Sequence, residues 1–392
     1  MIKRTKNGFQ KLIDSGQAGG ALLILCVIIS LIIANTGANE PFKNLLAIEL
    51  GFETPAIHLK YSLLNWINDG LMAVFFFAIG IEIKQEGIYG HLASFKIASV
   101  PIFAALGGAL LPAVIYAVLN HNSDTAAGWG IPMATDIAFA LAVLSLVGKL
   151  VPAALRVLLS TLAVVDDLLA ILVIAIFYSS NIHWVNLGIA ASIFGVLLLL
   201  NRLGVQKVIF YIIPGVFMWY FIHHSGIHAT IAGVLTALAI PAGPQKGSIL
   251  QKLEHSLAIP VGFIIMPLFA LANTNIHFEA AMISGVAGTL GLGIIIGLVV
   301  GKPAGIMLFS LLSVKFNIGK LPKGIVWRHI VGIGLLAGIG FTMSIFIALL
   351  SFGGDSLYGA EAKFAILIAS LFSGIGGFVY LKKVIANKKS RV

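Results

Sequence analysis

Long apolar runs separated by short polar or Gly/Pro-rich clusters dominate the chain. The runs lie at residues 17–34, 63–83, 96–118, 128–147, 152–178, 184–200, 206–221, 226–240, 257–273, 284–312, 327–350 and 360–382. Most of them reach the length of about 20 residues that an α-helix needs to cross the hydrocarbon core of a bilayer. The pattern therefore predicts an all-α polytopic membrane protein with 12 transmembrane helices.

Composition supports this fold class. Of the 392 residues, 59% are hydrophobic and only 10% are charged, whereas soluble domains carry about 25% charged residues. The mean hydropathy of +1.03 excludes an ordinary soluble protein. We expect residues 1–392 to form a single transmembrane transporter domain.

Basic residues are distributed asymmetrically between the loops. The net charge of +10 could suggest nucleic-acid binding, but that function needs a basic face on a soluble domain, so no nucleic-acid partner is expected. With a cytoplasmic N-terminus, 21 of the 25 basic residues fall in inside segments, as the positive-inside rule requires. The exceptions are Lys43, Lys60, Lys363 and the span residue Lys302. This asymmetry predicts cytoplasmic N- and C-termini, with residues 383–392 as a basic cytoplasmic tail.

The basic N-terminal stretch before the first apolar run is also typical of a signal peptide. The eleven further spans favour a retained first helix instead.

The first outside loop, residues 35–62, contains alternating apolar and polar positions at 47–53 and 56–59. This alternation is typical of a short β-hairpin, although an unstructured loop explains it equally well. A hairpin with an open edge would offer a surface on which two protomers could pair.

Two apolar runs are interrupted. The fourth contains Gly128, Gly130 and Pro132, and the eleventh contains glycines at 332, 334, 338 and 340. Broken hydrophobic segments in corresponding halves indicate a transporter built from inverted-topology repeats, with its site at the breaks. By contrast, Gly293, Gly297, Gly301 and Gly305 in the tenth run are better explained by close helix packing.

Four ionisable residues lie within the apolar runs, namely Asp136, Asp166, Asp167 and Lys302. A charge at the bilayer centre costs from ~3 to more than ~10 kcal/mol, and such residues usually line ion pathways. Burial and mutual repulsion both disfavour ionisation of the adjacent acids, so a cation would compete with protons there. Successive helical residues point ~100° apart, so the two carboxylates face different neighbours.

Simpler structural roles remain open for these residues. Lys302 could form a static ion pair with one carboxylate, which offsets both desolvation costs. Asp136, which follows Thr135, could cap a half-helix. Carboxylates, a Thr135 hydroxyl and freed carbonyls suit Na⁺ or Li⁺, whereas we expect His223, His224 and His228 to belong to a loop and a helix start rather than to a metal cluster.

Three other functions can be compared with these features. An intramembrane aspartyl protease needs its two acids on different helices, whereas Asp166 and Asp167 are adjacent in one run. A retinal protein would use Lys302 as a Schiff base, but twelve spans and an Asp pair argue against it. A sodium-coupled solute symporter of related fold is the strongest alternative.

Several segments resemble the bacterial NhaA-type sodium/proton antiporters, in the same order and over nearly the whole chain. They are Trp66–Phe77, Gly80–Glu86, Met133–Ala140, Val164–Asp167, Gly301–Pro303 and Gly340–Phe346. The resemblance implies twelve helices with broken, crossing fourth and eleventh segments. It also implies a transporter rather than an enzyme, without a cofactor, that exchanges one Na⁺ for two H⁺.

The same resemblance assigns roles to residues. It implies a Na⁺ or Li⁺ site at Asp167 and Asp166, supported by Thr135 and Asp136, with Lys302 paired to Asp166. Whether Lys302 carries a transported proton stays open.

The resemblance further implies a homodimer joined through the first outside hairpin, in the bacterial cytoplasmic (inner) membrane. It implies activation at alkaline pH through Glu82, Glu254 and His255, with His228 as a weaker candidate. Members of the family often carry His-Pro-Trp shortly after these residues, whereas this chain has Ala258-Ile259-Pro260. The pH at which activation occurs is therefore not fixed by the resemblance.

Overall fold

The apolar runs form helices in the part of the chain that the structure describes. In this computed structural model the described residues are 17–55, 58–148, 151–179, 181–243, 248–279, 282, 285–354 and 356–389. The basic N-terminal residues, Lys149, Lys246 and the last three tail residues, which contribute to the predicted topology, lie outside these ranges, as do residues 56 and 57 of the predicted hairpin.

The helices are numbered in chain order. They are α1 Gln17–Ala34, α2 Asn39–Ala47, α3 Leu63–Ile88, α4 Phe95–Leu119, α5 Ile137–Val147, α6 Ala153–Phe177, α7 Trp184–Arg202, α8 Ile209–His223, α9 Ile231–Ala239, α10 Ile249–Asn273, α11 Thr289–Lys315, α12 Trp327–Ala337, α13 Phe341–Phe352 and α14 Leu357–Lys389. Wider π turns interrupt α3, α10 and α11 at Trp66–Leu71, Val261–Ile265 and Gly297–Gly301. Short 3₁₀ turns cover His91–Ala93 and Ala126–Met133, and the strands are β1 Glu49–Leu50 and β2 Tyr61–Ser62.

Eight helical segments within the described residues are long and apolar enough to cross a membrane. The bent pairs α1 with α2, at 111°, and α12 with α13, at 47°, raise this number to ten if each pair is one span. The chain is thus a multi-pass α-helical membrane protein. Two predicted spans correspond to shorter helices, α8 and the nine-residue α9, so the count of twelve spans stays a prediction.

The fold divides into two compact units. Unit 1 comprises residues 1–22, 90–172 and 278–392, and unit 2 comprises residues 23–89 and 173–277. Two of the four boundaries fall inside α1 and α6, so each of these helices contributes to both units.

Glycines set the packing of unit 1, where α4 and α11 lie against each other. A Cβ at Gly305 would overlap the carbonyl oxygen of Gly107, and a Cβ at Gly301 would lie 2.8 Å from the Ile115 side chain. Gly293 and Gly297 likewise have no room for a Cβ. The close-packing interpretation of this glycine repeat is therefore confirmed, because every member meets a neighbouring element.

In unit 2, α3 and α9 make the corresponding close approach. A Cβ at Gly80 would lie 3.1 Å from the Cα of Val234, and one at Gly233 would overlap the carbonyl oxygen of Ala73. Absence of these side chains lets two apolar helices approach at backbone distance, which maximises van der Waals contact where lipid provides no hydrophobic driving force between helices.

The outside loop of unit 2 contains a two-stranded antiparallel ladder. Glu49 pairs with Ser62 and Leu50 with Tyr61. The Lys60 ammonium lies 2.8 Å from the Glu49 carboxylate, and its hydrogen bond and charge lower the pKa of Glu49 below the ordinary value. A lowered carboxyl pKa keeps Glu49 charged, and so able to pair with Lys60, above acidic pH.

Candidate functional site

Two interrupted helical segments of unit 1 lie side by side. The first consists of the 3₁₀ turn Ala126–Met133 and α5, joined by extended backbone at residues 134–136. Pro132 lacks a backbone N–H and disfavours helical geometry in its predecessor, which weakens a continuous α-helix there. The second consists of α12 and α13, which are separated by residues 338–340. The N–H of Asp136 donates to the carbonyl of Ile339 at 2.7 Å, which ties the two breaks together.

The Asp136 carboxylate accepts hydrogen bonds from the first turns of two helices. Its Oδ1 accepts from the N–H of Phe139 at 3.0 Å and thereby caps α5. Its Oδ2 accepts from the N–H and the hydroxyl of Thr342, at 3.2 and 2.5 Å, at the start of α13. Both N-termini direct their partial positive charge at one buried carboxylate.

Lys302 is completely buried beside the first of these breaks. Its Nζ donates to Asp166 Oδ2 at 2.6 Å and to the carbonyl of Met133, the last residue of the 3₁₀ turn. The following residue, Pro303, provides no N–H for the preceding turn of α11. The π turn Gly297–Gly301 lies directly before Lys302 and accommodates this missing hydrogen bond.

Asp166 and Asp167 lie in the middle of α6, exposed by only 2% and 3%. Asp166 Oδ2 accepts from the Thr135 hydroxyl at 2.6 Å as well as from Lys302. Thr135 lies next to Asp136 and is also within 2.9 Å of the carbonyl oxygen of Ala337. Asp166 Oδ1 is buried and accepts no hydrogen bond from the described residues.

The resulting cluster contains oxygen donors and one ammonium group. A carboxylate oxygen without a hydrogen-bond donor is costly inside a protein, so Asp166 Oδ1 is a position where a proton or a hard cation would be stabilised. Adding either one to the cluster would compete with Lys302 for the same carboxylate. The arrangement can therefore bind charge reversibly without any covalent step.

The four residues predicted to respond to pH lie in unit 2 and do not form one cluster. Glu82 is half-buried on α3, close enough to Glu254 on α10 for the two charges to repel each other. His255 lies next to Glu254 and is exposed. His228 instead has its Nε2 3.5 Å from Asp69 Oδ1, and Asp69 precedes Glu82 by about 20 Å of helix.

Several participating groups were not assigned a role from the sequence. They are the Thr342 side chain and the carbonyls of Met133, Ala337 and Ile339. The carbonyls have no side-chain signal, but a hydroxyl residue two positions after Gly340 was a detectable sign of a helix start.

The chain matches the family model described as "Na+/H+ antiporter 1" over residues 10–381. It is 58% identical over 385 residues to the Na(+)/H(+) antiporter NhaA 2 of Flavobacterium johnsoniae, covering 98% of this chain and 94% of the relative. It is also 48% identical to the Na(+)/H(+) antiporter NhaA of Flavobacterium psychrophilum, with 97% of each chain covered. A more distant relative is the Na(+)/H(+) antiporter NhaA 1 of Clostridium beijerinckii, which is 44% identical with 99% of this chain and 98% of the relative covered.

We predict that Lys302→Met destabilises the protein by ~3–5 kcal/mol, because it leaves a buried carboxylate without its cation. The double variant Lys302→Met with Asp166→Asn should recover most of that loss. The loss should be larger at alkaline pH, since protons neutralise Asp166 at acidic pH. Thermal unfolding of the purified protein measures the stability of both variants.

Lys43→Met is the matched control for this prediction. It removes an exposed ion pair with Glu40 at 3.9 Å, and exposed pairs contribute only ~0–1 kcal/mol. Equal stability of Lys302→Met and the unsubstituted protein would contradict the ion-pair interpretation.

Proposed function

Because this chain belongs to the Na⁺/H⁺ antiporter 1 family, we propose that it exports Na⁺ or Li⁺ in exchange for two H⁺ per cation. The observation that supports this proposal most directly is the buried carboxylate of Asp166, shared by Lys302 and Thr135 with Oδ1 unoccupied by any described donor. The match to the family model and the names of the relatives support the exchange of Na⁺ for H⁺.

In this proposal Asp166, Asp167 and Lys302 carry the proton and cation exchange. Asp167 is the main cation ligand, Asp166 divides its interactions between the cation and Lys302, and Thr135 with Asp136 completes the Na⁺ or Li⁺ site. Protons and the cation then compete for the same carboxylates, so the site is satisfied by one or the other in each transport step. The transporter uses no cofactor.

The proposed stoichiometry makes the exchange electrogenic. Two protons entering for each Na⁺ leaving move one net positive charge inward. At ~100 mV this charge contributes ~2.3 kcal/mol, which sustains a roughly fifty-fold Na⁺ gradient at ~1.4 kcal/mol per decade. The membrane potential could then drive Na⁺ out even when the outside is alkaline, which supports a role in sodium and pH homeostasis.

We further propose that the protein lies in a bacterial inner membrane with cytoplasmic termini and is activated at alkaline pH. Lysines and arginines on one side of the predicted topology support this orientation. Glu82, Glu254 and His255 form the proposed pH-responsive group, because the Glu82 and Glu254 charges repel each other and their protonation would relieve that repulsion. His228, whose Nε2 lies 3.5 Å from Asp69, is the weaker candidate for this response.

The outside hairpin is the proposed contact of a homodimer. Its apolar side chains Leu50 and Phe52 are 47% and 55% exposed in the single chain. A two-stranded ladder leaves hydrogen-bonding edges open, so a second copy could cover both the edges and the apolar side chains.

We predict that Asp167→Asn and Asp166→Asn each reduce Na⁺-dependent proton release to background, because neither amide can hold a cation in exchange for a proton. Inside-out vesicles with an acid interior and a pH dye measure this on addition of Na⁺, Li⁺ or K⁺ across a pH series. Asp124→Asn, at an exposed position between α4 and α5, should behave like the unsubstituted protein. Normal exchange by Asp167→Asn would refute the site, and Na⁺-dependent solute uptake without proton movement would favour the symporter instead.

We predict that voltage shifts the equilibrium of the exchange. With equal pH on both sides, a tenfold Na⁺ gradient should be balanced by about 60 mV for two protons per Na⁺, from ~1.4 kcal/mol per decade and ~2.3 kcal/mol per 100 mV. Proteoliposomes with imposed potassium diffusion potentials give this reversal point. No dependence on voltage would establish one proton per Na⁺.

We predict that Leu50→Asp combined with Phe52→Asp weakens dimerisation by tenfold or more. Burying such side chains contributes ~1.5–3 kcal/mol each, and a carboxylate would have to be desolvated instead. Mass photometry of the purified protein over a dilution series measures the dissociation constant. Phe316→Asp, at a 67% exposed position outside the hairpin, is the control, and an equal effect of the control would argue against the hairpin contact.

A further inference from the structure

Helix α14 lies against the break between α12 and α13 and packs on both of these helices. The face that it turns to the break is made of small residues, Ser370, Ser373, Gly374 and Gly377, which share one side of a helix by their spacing. A Cβ at Gly377 would lie 2.6 Å from the Leu336 side chain, and one at Gly374 would lie 3.6 Å from the Ile339 side chain. The small residues thus let the unbroken helix α14 bring its hydroxyl groups close to the non-helical backbone of the break.

The first turn of α13 needs such groups. The first hydrogen bond within this turn runs from the N–H of Ser344 to the carbonyl of Gly340, so the N–H groups before it have no partner in their own helix. Gly340, at the N-cap position, has no side chain to accept from them. The Thr342 N–H is accepted by Asp136, and the Phe341 N–H is accepted by Ser370 Oγ at 3.2 Å, where both residues are buried.

We propose that Ser370 is a positioning residue for the cation site, holding the start of α13 so that Thr342 stays on Asp136. The inference rests on the proposed function, in which Asp136 supports the ion. Ser370 does not touch the ion and acts through two neighbouring N–H groups. Phe341 is fixed by Ser370, and the next residue is thereby directed at the carboxylate.

Loss of the Ser370 hydroxyl would change the ligand geometry rather than only the stability. A buried N–H is rarely left without an acceptor. The carboxylate bonded to the next residue, Asp136, already accepts from Thr342 and Phe139. Redistribution of these bonds would displace the backbone of residues 134–136, because the Asp136 N–H is bonded to Ile339 within the same break. Thr135, which donates to Asp166, moves with that backbone.

Ser373 provides a matched comparison on the same helix face. It is fully buried one turn after Ser370, and a Cβ at Gly338 would lie 2.6 Å from its Oγ. Its Oγ makes no hydrogen bond within the described part of the chain. Two buried serines therefore face the same break, and only Ser370 caps a helix start.

The test is the apparent KM for Na⁺ of the full chain in inside-out vesicles, with the rate normalised to the amount of transporter in the membrane. Ser370→Ala should raise KM about tenfold, equivalent to ~1.4 kcal/mol, with little change in the maximal rate per transporter. Ser370→Thr keeps the hydroxyl and should restore the original KM. Ser370→Cys, whose sulfur accepts only weakly, should give an intermediate KM, and Ser373→Ala should leave KM unchanged.

Two outcomes would overturn the proposal. One is an unchanged KM for Na⁺ in Ser370→Ala or Ser370→Cys. This outcome includes a variant in which only the amount of folded transporter falls. The other is an equal rise in KM for Ser373→Ala, which would indicate general loosening of the helix contact. Asp136→Asn separates this inference from the proposed function. If Asp136→Asn leaves the KM for Na⁺ unchanged, the proposed ion site is wrong. If Asp136→Asn raises KM but Ser370→Ala leaves it unchanged, only the role of Ser370 is refuted.

Discussion

Backbone polar groups inside a bilayer must find partners within the protein, because lipid offers none. Breaking a helix releases such groups, and in unit 1 two broken segments satisfy each other. The Asp136 N–H bonds to the Ile339 carbonyl, and the Thr135 hydroxyl bonds to the Ala337 carbonyl. Each break thus provides partners for polar groups that the other break releases.

The charges of the site follow from this arrangement. Two helix N-termini meet at Asp136, where a carboxylate is favourable, and the Lys302 ammonium meets the carbonyl end of the 3₁₀ turn at Met133. Opposite charges thus complement opposite ends of the interrupted segments. Asp166 differs because its bonds to Lys302 and Thr135 use one oxygen and leave the other without a donor. In the proposed function this second oxygen of Asp166 is left for a proton or a cation to bind, beside the main ligand Asp167.

The mutual support of the breaks also explains why small and hydroxyl residues surround the buried charged cluster. Glycines on α11 and α14 bring backbones and side-chain hydroxyls to distances at which released N–H and C=O groups can be satisfied. A bulkier side chain at these positions would separate the helices and leave polar groups buried without partners, at a cost of ~1–3 kcal/mol each. The packing of unit 1 and the proposed ion binding consequently depend on the same contacts.

Local chemistry in the sequence was enough to predict the membrane class, the interruptions near Pro132 and Gly340, and the burial of the four charged residues. Run length, Gly and Pro positions and the cost of charge in lipid are properties of short segments, so no neighbouring helix is needed to infer them. The extent of the helices was less accessible, since α9 covers only Ile231–Ala239 of the run at 226–240 and α8 ends beyond its run, at His223.

Partnerships between segments were decided only by the tertiary structure. A spacing of ~100° separates Asp166 from Asp167 but does not say which of them faces Lys302, which lies 136 positions away along the chain. Nor could the sequence show that the carbonyls of Ala337 and Ile339 serve residues 135 and 136, or that Asp69 lies beside His228. The sequence by itself determined which groups are costly to bury. Only the packing of distant segments determined which partners offset that cost, because those partners are brought together by the fold and not by their order in the chain.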